Sequence, residues 1–101
     1  MIVYNNTVKV HRAIADQWLH WLQAEQAPQM LATHCFWKYH VLQLLELDDA
    51  EGPTYAVQFY AHTITDFELY RNQFEALFQQ QAIGRWGSHV VSFSTLMQVV
   101  A

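Results

Sequence analysis

Val41-Leu42-Gln43-Leu44-Leu45-Glu46-Leu47 and, beyond the break Asp48-Asp49-Ala50-Glu51-Gly52-Pro53, Thr54-Tyr55-Ala56-Val57-Gln58-Phe59-Tyr60-Ala61 decide how this chain folds. Successive side chains of a strand point to opposite faces of its sheet. In both segments each alternating set is largely apolar. The acidic break contains Gly52 and Pro53, which end one strand and permit a reversal, so a hairpin is the cheapest connection. A sheet covered on one face by its own helices still has a second face to hide. The expectation is therefore a homodimer through the sheet face, which a charge at Val57 or Phe59 would break.

Outward from the hairpin, the strand pattern extends back to Phe36. In Ile2 to Val10 the residues Ile2, Tyr4, Val8 and Val10 share one parity, interrupted by Asn6, as in another strand. From Ala13 the period changes, and Ile14, Trp18, Trp21, Leu22 and Glu25 fall at helical spacing with Asp16 in the first turn. Pro28 disfavours helix at the residue before it, so this helix is expected to stop near Gln26, with one further turn at Gln29 to Ala32.

After the hairpin, Thr65-Asp66-Phe67-Glu68 has the spacing of a capping box, and Phe67, Tyr70, Phe74, Leu77 and Phe78 make an apolar stripe. Gly84 and Gly87 flank the expected end of that helix. A last strand follows from Val90, with Val91, Phe93, Met97 and Val99 on one parity. The order is βαββαβ in one domain over residues 1–101. That order predicts an α+β, ferredoxin-like arrangement: a four-stranded antiparallel sheet with two helices on one face.

Composition narrows the partners. The chain of 101 residues is 52% hydrophobic and 14% charged, with a net charge of −4. Charged residues usually make up about 25%, so much of the surface is expected to be covered by a partner. Lys9, Arg12, Lys38, Arg71 and Arg85 are scattered singly, and no basic stripe can be assembled to neutralise phosphates, which argues against nucleic acid. Cys35 stands alone, so there is neither an intrachain disulfide nor a paired-cysteine metal motif, and a cytoplasmic location is expected. Neither a signal peptide nor a membrane-length apolar run is recognisable.

Several residue types invite a chemical reading. Six histidines are present, but none forms an i, i+4 pair on a helix, so no zinc signature arises and no metal is expected. His34, His40 and His62 could still be assembled by the fold. Trp18, Trp21, Trp37, Tyr60 and Trp86 could line a cavity between sheet and helices that takes a small apolar ligand, or could simply fill a core. Cys35 beside His34 is poorly placed for activation, because neighbours in extended chain point apart, and reads as a small buried side chain. The acidic turn lacks the alternating ligands of a calcium loop and reads as a solvated tip. The third strand lacks the basic-Gly-aromatic run of an RNA-recognition sheet, and the loop after the first strand lacks the Gly-rich segment of an acylphosphatase-like site.

The chain resembles a bacterial family, the domain-of-unknown-function family 4286. The residues carrying the likeness are Tyr4-Asn5, Trp18-Leu19, Trp21-Leu22, Pro28, Leu31-Ala32-Thr33, Phe36, Leu44-Leu45-Glu46, Glu51-Gly52, Thr54 to Gln58, Phe93 and Thr95-Leu96-Met97. Three positions depart from it: Gln26 stands where His tends to occur, His34 where Gly does, and Ser94 where Arg does. The resemblance implies a dimeric α/β barrel, in which two sheets pack face to face, and implies no activity; no cofactor is expected. Two functional expectations remain, the first because no convergent set of acid, base and nucleophile is recognisable in the sequence. One is a non-enzymatic small-ligand-binding or interaction module. The other is a cofactor-poor enzyme, monooxygenase-like or isomerase-like, acting on a small aromatic or quinone with His34 or His62 as acid or base beside Trp37 and Tyr60.

Overall fold

β1 (Ile2–Val10) lies inside the sheet because both of its neighbours pair with it along almost its whole length. The computed structural model describes Met1–Ala101, with β2 (Lys38–Gln43), β3 (Thr54–Ala61) and β4 (Val90–Gln98) completing a sheet of order β2-β3-β1-β4. Every pairing is antiparallel. Helices α1 (Ala15–Trp21) and α2 (Ala27–Ala32) follow β1, and α3 (Ile64–Gln73) and α4 (Glu75–Trp86) follow β3. This is the ferredoxin-like α+β fold.

The first helical arm does not stop at Gln26. Leu22–Gln26 forms a π turn in which the Ala27 N–H reaches the Leu22 carbonyl, and the rod continues into α2 with Pro28 in its first turn. Proline lacks an N–H and its ring crowds the preceding turn, and a turn closed over five residues gives it room. The second arm also differs from its sequence reading. Its cap is Thr63, whose hydroxyl accepts from the Asp66 N–H, two residues before the expected start. The arm bends at Phe74, which leaves helical geometry at φ −126°. Leu77 consequently faces solvent, Gly84 lies within α4, and Gly87 caps it at φ +55°.

The core is aromatic. Tyr4 touches the rings of Phe67 and Tyr70 at 5.2 and 5.5 Å, and Phe36 bridges Tyr70 and Phe59 at 4.7 and 5.4 Å. Tilted ring pairs of this kind contribute about 0.5–1.5 kcal/mol each beyond the area they bury. Ile2, Tyr4 and Val8 of β1 and Val57, Phe59 and Ala61 of β3 form the helix-facing parity. Val57 and Phe59 therefore lie in the core, so a charge there reports on folding and cannot single out a dimer interface. β2 is shorter than its sequence pattern, and Leu44, Leu45 and Leu47 lie beyond it, exposed.

The helices leave β4 bare. Beyond Val90 every β4 residue is exposed, whichever face it lies on. The outward parity carries Ala56, Leu42, Val91, Phe93 and Met97, and Leu42, Val91, Phe93 and Met97 are exposed apolar residues.

Gly52 anchors the hairpin turn against the start of the first arm. At its φ of +149° a Cβ would run into the Val10 carbonyl oxygen and the Arg12 nitrogen. Gly52→Ala is expected to cost about 3 kcal/mol in urea unfolding. Gly84→Ala, in open helix surface with nothing within 4 Å, is expected to gain about 0.5–1 kcal/mol in the same assay.

Candidate functional site

Asn6 interrupts the apolar parity of β1, and its partner across the β1–β4 ladder is Ser94. Ser92 lies two residues earlier on the same face, so the helix-facing side of this sheet edge is polar. Above it stand Trp18, Trp21, Met30, Tyr70 and Phe78, and between the two lies a cavity of about 380 Å³. Pockets for small ligands have this character, mostly apolar walls with a few placed polar groups.

The π turn aims the first arm at this space. In an unbroken α-helix the stripe through Trp18 and Leu22 would continue to Glu25 and Gln29. The extra residue advances the register, so Glu25 is exposed while Ala27 and Met30 are buried and Gln26 is half-buried. Gln26 donates through Nε2 to the Phe78 carbonyl at 3.4 Å, which ties the two arms together beside the cavity. Trp18 stacks on Tyr55 at 5.3 Å, and Trp21 meets Trp86 edge-on at 5.7 Å.

Two phenols face the cavity. Burial pushes the Tyr4 hydroxyl far above its ordinary value of 10.0, with the adjacent Glu75 carboxylate adding to the rise and Asn6 and Ser94 opposing it. Tyr70 is raised likewise by burial, then by Tyr4, Glu75 and Cys35. Both stay protonated near neutrality and can donate a hydrogen bond.

Of the residues singled out in the sequence, Trp18 and Trp21 line the cavity and Trp86 packs behind Trp21. Trp37 and Tyr60 do not line it. They belong to a cluster at the β2–β3 edge, where His62 stacks on Trp37 at 5.1 Å and Lys38 Nζ lies 4.6 Å from both the Trp37 and Tyr60 rings. His40 Nδ1 lies 3.1 Å from the Tyr60 hydroxyl, which donates to Gln58 Oε1. His34 is exposed in the loop after α2 at φ +64°, a backbone state that favours glycine. Neither His34 nor His62 is part of the cavity wall, and no group of three His, Cys, Asp or Glu side chains is placed to hold a metal ion. Cys35 is buried.

Sequence reasoning passed over Asn6, Ser92, Ser94 and Tyr70 as site residues. The signal was present in the polar residues that break the apolar parity of β1 and β4 opposite one another. Of the three departures from the family pattern, Gln26 and Ser94 lie in the cavity wall.

Residues 1–100 match the model of a family described as a domain of unknown function, DUF4286. No curated protein matches the chain. A solved structure of a dimeric ferredoxin-like protein from an uncultured marine organism is similar in fold, at 10% sequence identity and a TM-score of 0.65. The match covers 99% of this chain and 95% of that one.

The raised phenols set an alkaline limit on stability. The folded chain keeps the Tyr4 and Tyr70 protons past pH 10, whereas an unfolded tyrosine releases its proton at about 10. Above that pH the unfolded state binds fewer protons, so this contribution is complete below about pH 10 and declines as pH rises. The guanidinium unfolding midpoint is expected to fall above about pH 10, and less steeply in the Tyr4→Phe/Tyr70→Phe double variant. Equal slopes in the two proteins would contradict the assignment.

Proposed function

This chain belongs to the DUF4286 family, and we propose that it is a non-enzymatic homodimer that binds a small, flat, apolar ligand between sheet and helices. The observation that carries the reading is the half-open aromatic cavity over Asn6, Ser92 and Ser94. Tryptophan and phenylalanine faces suit a planar ring by offset stacking. The polar edge and the protonated phenols of Tyr4 and Tyr70 give such a ring one or two hydrogen bonds that fix its orientation.

The dimer reading rests on the outward sheet face. Leu42, Val91, Phe93 and Met97 are exposed there, more apolar surface than a solitary sheet face needs. The fold neighbour described as dimeric supports the same assembly.

Two measurements test this. Titration with 2-acetylnaphthalene is expected to alter tryptophan fluorescence saturably and, at 100-fold above Kd, to raise Tm by about 10 °C. Ala82→Trp, which fills the cavity from α4, is expected to abolish both effects while folding on its own. In sedimentation the wild type is expected as a dimer, and Leu42→Asp or Val91→Asp as a folded monomer. A wild-type monomer would end the dimer reading, and an unmoved fluorescence and Tm would end the ligand reading.

A further inference from the structure

We propose that the ligand carries an anionic tail, which leaves the cavity across Gln26 and is held by Arg85 in the groove between the two helical arms. The inference rests on the binding reading above and narrows it to a class: a flat apolar body bearing a flexible chain that ends in a carboxylate or similar anion.

Trp21 and Gln26 carry the argument, because each belongs to the walls of two different spaces. On one side lies the aromatic cavity; on the other a groove of about 310 Å³ is completed by Glu25, Gln29, Gln81 and Arg85. Trp21 and Gln26 are five residues apart, a spacing that a π turn, closed over five residues, brings to one side of the helix and an α-helix does not. The same irregularity that aims Trp18 and Met30 at the sheet therefore places one side chain pair at the boundary between an apolar room and a polar one.

The two spaces have opposite chemistry. Trp21 is the hydrophobic residue of the groove, and the remainder are amides and charges. Among the five basic residues, Lys9 is paired with Glu51 at 3.2 Å, Arg12 donates to the Asp49 carbonyl, and Lys38 and Arg71 lie over rings elsewhere. Arg85 rests with its guanidinium carbon 5.3 Å from the Trp86 ring centre, and no protein oxygen accepts from it. A guanidinium steadied on an indole keeps the edge of its planar fork free, the geometry that takes a carboxylate through two parallel hydrogen bonds. Glu25 is the one acid of the groove and makes no ion pair with Arg85.

Two probes that differ only in the tail test the proposal: 4-(2-naphthyl)butanoate and its neutral amide, titrated by calorimetry in about 0.15 M salt to screen long-range attraction. The wild type is expected to bind the butanoate about tenfold more tightly than the amide, as a charge-assisted contact implies. Arg85→Gln is expected to erase the preference, Arg85→Lys to keep part of it, and Glu25→Gln to enlarge it. Equal affinity for the two probes in the wild type, or a preference that survives Arg85→Gln, overturns the tail assignment while amide binding upholds the cavity. Failure of both probes to bind overturns the two readings together.

Discussion

One extra residue in a single helical turn determines which side chains of the first arm meet the sheet. Pro28 cannot donate to the ladder, and the π turn at Leu22–Gln26 accommodates it without ending the rod. Without that residue Glu25 would point inward, and a carboxylate would stand where Gln26, Ala27 and Met30 now meet the core. With it, Trp18 and Trp21 cover one end of the sheet, Met30 closes the wall, and Gln26 reaches the Phe78 carbonyl of the other arm. The cavity exists because these groups stand apart over a polar sheet edge instead of interlocking.

The sheet imposes the second constraint. Two helical arms bury the helix-facing sides of β1 and β3, where Tyr4, Phe59, Phe67 and Tyr70 pack ring against ring. They do not extend over β4, so its inner face opens into the cavity mouth and its outer face continues the exposed apolar surface of the sheet. One edge strand thus lines both the cavity and the outward face. Its nine residues carry no charge, an unguarded edge by ordinary standards.

The architecture was legible in the sequence because its signals are local and redundant. Alternating residues in Ile2 to Val10 and Thr54 to Ala61, helical spacing from Ile14 to Leu22, and the Asp48 to Pro53 break each identify an element independently. Parity alone could not tell which face the helices cover, so Val57 and Phe59 read equally well as core or interface. Pro28 points locally to a helix end, whereas the burial of Ala27 and Met30 in the core holds the rod together. Thr65 and Thr63 both offer a capping hydroxyl, and only the backbone settles which is used. Trp37 and Tyr60 resembled Trp18 and Trp21 in composition, yet the register of β2 on β3 carries them to another surface. Asn6, Ser92 and Ser94 were visible as breaks in pattern, and breaks of that kind are where a site gives up packing for function.

The most direct test of the cavity as the binding site is a nitrogen–proton correlation spectrum recorded during titration with 2-acetylnaphthalene. The four tryptophan indole N–H signals report on different places, with Trp18 and Trp21 in the cavity wall, Trp86 behind Trp21 and Trp37 at the β2–β3 edge. Saturable shifts of the Trp18 and Trp21 signals and of the Ser92 and Ser94 amides, with Trp37 unmoved, are predicted. Shifts centred on Trp37 and Tyr60, or none at all, would contradict the account.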